Sequence, residues 1–109
     1  MPGSLWEATA SETASFPRLD DLIPSTVLVI GAGYSGLSTA IALADRGVSV
    51  VVLDSHQPGF GASGRNGGIV VPGLKLSQSE VVARLGRIQG TALYRFASTA
   101  PDAVFGMIK

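Results

Sequence analysis

Three glycines, Gly31, Gly33 and Gly36, stand at the spacing G-x-G-x-x-G, and an acid, Asp54, follows the last of them after seventeen intervening residues. That arrangement suits a dinucleotide. The first glycine permits a tight turn, the second lets a pyrophosphate approach the backbone, and the third allows a helix to pack against a strand. A carboxylate at the distance of Asp54 accepts from ribose hydroxyls, and its charge disfavours a 2′-phosphate. A second run, Gly59 to Gly68, reads GFGASGRNGG. In it Arg65 brings charge and fork-shaped donors, Ser63 a small donor, and Gly67 and Gly68 let the chain pass close to a flat ring. The plainer reading makes these residues a tight turn, a strand-end cap and loop-stabilising hydrogen bonds. It explains each residue separately but not three glycines, a spaced acid and their flanking elements together.

Those elements are legible in the apolar pattern. TVLVI, Thr26 to Ile30, is a β-rich run ended by glycine, as expected for a strand buried on both faces of a parallel sheet. Leu37, Ala40, Ile41 and Ala44 then recur at helical spacing, with Gly47 placed to end the helix. VSVVVL, Val48 to Leu53, supplies a second buried strand, so the spacing predicts a βαβ crossover unit with the fingerprint at the opening of its helix. The free amides and positive dipole end of that helix favour a diphosphate. The run after Asp54 reads as a long loop. Ser77 and Glu80 have capping-box spacing, and an apolar stripe of Val82, Leu85, Gln89, Ala92, Leu93 and Phe96 predicts one helix over 78–98. Pro101 is expected to begin another, and Gly86 with Gly90 to allow close backbone packing. Residues 1–25 read as an extended lead-in anchored by Trp6 and Phe16, and residues 26–109 as a partial nucleotide-binding domain. The fold class is therefore α/β: an incomplete Rossmann-like βαβ unit with a parallel sheet, followed by one or two helices.

Composition narrows the chemistry. Among 109 residues, eight basic and eight acidic side chains leave no net charge to draw a phosphate backbone or an anionic lipid surface, so neither nucleic acid nor membrane is an expected partner. With no cysteine and one histidine, a metal site is not expected. The first 24 residues lack a signal-peptide pattern and the longest apolar runs are strand-length, which points to a cytoplasmic protein.

GASGRNGG, Gly61 to Gly68, is the most specific motif, and with it residues 26–72 resemble the amino-terminal FAD-binding region of the D-amino-acid-oxidase-like flavoproteins. The similarity is to the glycine oxidase, sarcosine oxidase and gamma-glutamylputrescine oxidase branch. The lead-in with Trp6 and Phe16-Pro17, and the helix after VVPGLKLS, resemble the last of these. The resemblance implies FAD as cofactor, with Gly31, Gly33 and Gly36 under the pyrophosphate and Asp54 on the adenosine ribose. It places Ser63, Arg65 and Asn66 beside the flavin's phosphate and ribityl side. Tyr34, Ser35, Ser55, His56, Gly61, Ala62, Gly67 and Gly68 complete the expected cofactor-binding set. No histidine lies in the second cluster to link the flavin, so binding is expected to be non-covalent. Asp54 stands where such proteins often carry glutamate.

The resemblance further implies oxidation of an amine or amino acid: hydride transfer to the flavin, followed by hydrolysis of the imine. It covers only a fragment of such an enzyme. Activity is therefore expected to depend on a second polypeptide or on further C-terminal sequence. The other readings are a truncated nucleotide-binding fragment without catalysis and a fragment of an NAD-dependent dehydrogenase.

Overall fold

The computed structural model describes residues 3–11 and 14–108. They form two compact units, Met1–Gly67 and Gly68–Lys109.

The first unit carries the expected strand, helix and strand. Strand β1 is Val27–Ile30, helix α2 is Tyr34–Ala44 and strand β2 is Val50–Leu53, preceded in the chain by a short helix α1, Leu5–Thr9. The two strands pair in parallel, Val27 opposite Val50 and Ile30 opposite Leu53. Parallel pairing requires a crossover connection, which α2 supplies as it packs against both strands. Gly47, at φ 75°, ends the turn after α2, and its amide donates to the Ala44 carbonyl. Gly31 and Gly36 explain how the helix lies so close to the sheet. Gly31 adopts φ 106°, and a Cβ on Gly36 would stand 1.9 Å from the Gly31 carbonyl oxygen. No other residue fits both requirements.

Three expectations change in this unit. The lead-in was expected to be extended, but Ser4 and Glu7 build a reciprocal capping box that starts α1. Trp6 serves as an anchor through its indole, whereas Phe16 is 59% exposed. Strand β1 was expected to be buried on both faces, yet burial alternates along it and Ile30 is 84% exposed. One helix covers one face of a sheet. On β1 the exposed side chains are those of Leu28 and Ile30.

The second unit holds α3, Gln78–Leu85, and α4, Arg87–Met107. Here the single helix over 78–98 is corrected: Gly86 takes φ 78° and ψ 164°, ending α3 and opening α4. The break turns the chain so that α3 and α4 pack together. Gly90, not Gly86, makes the close approach, since a Cβ there would meet Val82 Cα at 2.7 Å, whereas one on Gly86 would meet nothing within 4 Å. Pro101 does not begin a helix either but lies inside α4. It brings no amide to the Ala97 carbonyl one turn earlier, and that carbonyl accepts instead from the Gly73 amide at 3.1 Å. Ala32 in the first unit and Val81 in the second are the buried apolar residues of the described chain. No helix of the described residues is long and apolar enough to cross a membrane.

Candidate nucleotide site

The first unit assembles the site at the carboxyl ends of its two strands. Gly31, whose amide donates to the Leu53 carbonyl at 2.7 Å, starts the turn from β1 towards α2. Asp54 follows β2 directly and reaches across to that turn: its Oδ2 accepts the Ala32 amide at 2.7 Å, while Oδ1 accepts the His56 amide at 2.9 Å. These donors favour the ionised form. The Ala32 amide first, and then the His56 amide, hold the Asp54 carboxyl below its ordinary value of 3.8. Each carboxylate oxygen keeps a further lone pair, so hydroxyl donors can still be accepted. Ala32 is itself tied down, its carbonyl accepting the Gly59 amide at 2.9 Å.

The second cluster closes onto the first. A 3₁₀ turn, Ala62–Gly64, follows Gly61 and presents Ser63 to the start of α2, where its hydroxyl accepts the Tyr34 amide at 3.0 Å. Asn66 binds the same residue from further on. Its Nδ2 donates to the Tyr34 hydroxyl at 3.1 Å and to the Ala62 and Ser63 carbonyls at 3.2 and 2.7 Å. Asn66 is thus a strut of the loop, with its amide turned to the protein's own oxygens. Ser55 Oγ lies 2.9 Å from His56 Nδ1, and the His56 ring stacks on Phe60 at 4.0 Å between centroids. Arg65 places its guanidinium 4.6 Å from the centre of the same Phe60 ring.

Most of the expected residues therefore lie in one unit: the fingerprint with Tyr34, then Asp54, Ser55 and His56, then Gly61, Ala62, Ser63, Arg65 and Asn66. Ser35 lies in the first turn of α2, and its carbonyl accepts the Thr39 hydroxyl at 2.7 Å. Gly67 ends the first unit and lines an open cleft together with Trp6 and Arg65. Gly68, with φ 66°, begins the second unit.

Two contacts escape sequence reasoning: the role of Phe60 and the partner of Trp6. Phe60 joins His56 to Arg65, and the signal for it is an aromatic residue standing alone in a run of glycines. Trp6 donates from its indole nitrogen to the Asn66 carbonyl at 2.8 Å, which makes α1 a support of the second cluster. The need of an indole N–H for a partner is the clue there.

The arrangement fits the diphosphate end of FAD. The start of α2 presents backbone amides and the positive end of a helix dipole, and no side chain at 31 or 33 stands in the way. An ionised carboxylate lies beside it at the end of β2. Among the described residues, no group of three or more His, Cys, Asp and Glu is placed to hold a metal ion.

Known proteins are similar to this chain in sequence. A family model described as FAD dependent oxidoreductase (DAO) matches residues 26–107. Gamma-glutamylputrescine oxidoreductase of Escherichia coli (strain K12) is 50% identical over 68 residues, 62% of this chain and 16% of that protein. A probable oxidoreductase, OrdL, of Rhizobium meliloti (strain 1021) is 39% identical over 106 residues, 96% of this chain and 25% of that protein. The OrdL of Haemophilus influenzae (strain ATCC 51907 / DSM 11121 / KW20 / Rd) is 37% identical over 89 residues, 82% of this chain and 21% of that protein. The chain thus spans from 16% to 25% of the length of these relatives. No solved structure matches it.

Proposed function

The chain belongs to the FAD dependent oxidoreductase (DAO) family, and from that premise we propose that it is the FAD-binding part of an enzyme that oxidises an amine or an amino acid. The observation that carries the reading is the meeting of three separate stretches at the start of α2: the fingerprint, Asp54 on the Ala32 amide, and Ser63 on the Tyr34 amide. Gly31, Gly33 and Gly36 shape the seat of the pyrophosphate, and the amides of the first turn of α2 face it. Asp54 accepts from the adenosine ribose while holding the glycine turn in place. Arg65, steadied on Phe60, sets a positive charge beside the flavin's phosphate and ribityl side. Asn66 positions that loop through Tyr34, and Gly67 and Gly68 let the backbone pass near the ring. With no histidine in the second cluster, the flavin is held without a covalent bond.

The cofactor supplies the redox step when bound, taking a hydride from the carbon next to the substrate nitrogen, after which water splits the imine into a carbonyl compound and ammonia or an amine. Residues that orient the substrate belong to further sequence or to a second polypeptide. The exposure of β1, 52% at Leu28 and 84% at Ile30, supports completion by additional elements. The gamma-glutamylputrescine relative supports an amine as the substrate class, because its name contains a diamine. On this reading residues 26–109 form a partial FAD-binding domain behind a lead-in of residues 1–25.

Titration with FAD tests the site. The full chain takes up FAD, and Gly33→Val, which fills the pyrophosphate approach, abolishes uptake. Equal uptake by both chains would remove the fingerprint from the reading.

A further inference from the structure

Helix α1 is too short to hold itself. Its five residues fall well below the length at which a helix persists alone in water, and none of them is buried. The capping box of Ser4 and Glu7 sets its first turn, and the Trp6 indole ties it to the Asn66 carbonyl at 2.8 Å. Asn66 is at the same time the strut of the second cluster, bonded through Nδ2 to the Tyr34 hydroxyl and to the Ala62 and Ser63 carbonyls. Beside that tie lies an open cleft, with Leu5 and Trp6 on one wall and Arg65 and Gly67 on the other.

We propose that α1 is a clasp on the flavin side of the nucleotide site, and that its docking through Trp6 is coupled to the retention of FAD, each strengthening the other. When α1 undocks, it gives up both its helix and the tie to Asn66, and residues 65–67 lose a restraint on their backbone. A flavin held beside Arg65 and Gly67 restrains that same stretch. Ordering it a second time costs less once the first restraint is in place, so the two events favour each other. Coupling of this kind is reciprocal: the factor by which FAD tightens the clasp equals the factor by which the clasp tightens FAD. Trp6 acts through Asn66 and is a positioning residue. The coupling rests on the function proposed above; the dependence of the indole tie on α1 does not.

Trp6 is the one tryptophan of the chain, so its indole N–H gives a single nitrogen–proton resonance. Exchange of that proton with solvent reads the docking of α1 directly. It is followed in the full chain and in Ser4→Ala, and the Kd values for FAD and ADP are measured for the full chain and Trp6→Phe. Ser4→Ala removes the cap without touching the indole or its acceptor, and speeds exchange about fivefold, the scale of a lost helix cap. Saturating FAD slows exchange in the full chain about tenfold, and Trp6→Phe, which keeps a ring but has no N–H, raises the Kd for FAD by the same factor. The Kd for ADP, which lacks the flavin and ribityl parts, is unchanged in Trp6→Phe, and this also shows that the variant is folded. Exchange indifferent to Ser4→Ala would overturn the clasp. Exchange indifferent to FAD, with an unchanged Kd in Trp6→Phe, would overturn the coupling and leave α1 a structural attachment. An equal rise in Kd for ADP would overturn its place on the flavin side. If neither ligand is taken up while Ser4→Ala still speeds exchange, the nucleotide reading falls and the coupling with it, and the docked helix stands.

Discussion

Asp54 illustrates how much one side chain does at this site. Its two oxygens fasten the glycine turn and the start of the following loop, through the Ala32 and His56 amides. Both donors stabilise the carboxylate, so its folded pKa lies below the ordinary 3.8. The contribution to stability is therefore fully present above that ordinary value and is lost as pH falls through the lower, folded one. Asp54→Asn removes the charge and should flatten the fall in urea midpoint between about pH 5 and pH 2, the window in which a depressed carboxylate titrates. Part of the slope remains, because the Ser77 hydroxyl and amide hold the Glu80 carboxyl below its ordinary 4.5 in the same way. A variant with the wild-type slope would show that Asp54 is not tied to Ala32 in solution. Arg65 belongs to the same scale. Arg65→Ala should weaken FAD binding by roughly tenfold, within the range of a lost charge-assisted contact, while Gly33→Val abolishes it. The spacing of the glycines and of Asp54 was readable in the sequence, because each obeys a fixed distance along the chain. The partners of Trp6, Phe60 and Asn66 were not, since a hydrogen bond from residue 6 to residue 66 leaves no local pattern.

Among the elements, the strands and α2 were visible as apolar runs bounded by glycine. Periodicity failed after residue 77 for two reasons. The apolar stripe runs through Gly86 without interruption, so only the positive φ of that residue reveals the break between α3 and α4. Pro101 follows the rule for a first helical turn, but the Gly73 amide takes the carbonyl that proline leaves unserved, and α4 continues. Gly90 offers a direct test of the packing that results. Alanine at an open helical glycine gains up to about 1 kcal/mol in propensity, yet at position 90 its Cβ would lie 2.7 Å from Val82 Cα, a backbone atom with nowhere to withdraw. Overpacking costs about 1–3 kcal/mol and should win, so Gly90→Ala lowers Tm. Gly106→Ala in the same helix, with nothing within 4 Å of the new methyl, leaves Tm unchanged or slightly raised. A rise in Tm for Gly90→Ala would mean that α3 does not lie against α4 at this point.

On the scale of the whole molecule, the chain carries exposed apolar faces. Ile30 on β1 and Ile88 and Phe96 on α4 are each more than 75% exposed, and exposure alternates along β1. The hydrophobic effect favours covering such faces. In a protein that supplies the remaining elements, an amine or amino acid added without oxygen should bleach the flavin band near ~450 nm, since reduction removes the oxidised chromophore. Persistence of the band with every amine tried would count against amine oxidation while leaving FAD binding intact.

The most direct measurement of the central claim is the absorbance spectrum of the natively purified chain equilibrated with FAD and freed of excess, taken before and after denaturation. Flavin bands near ~370 and ~450 nm should travel with the native protein and separate from it on denaturation, as befits a cofactor held by a glycine turn, a carboxylate and a guanidinium. A chain that stays colourless, or that retains NAD in preference to FAD, would contradict that claim.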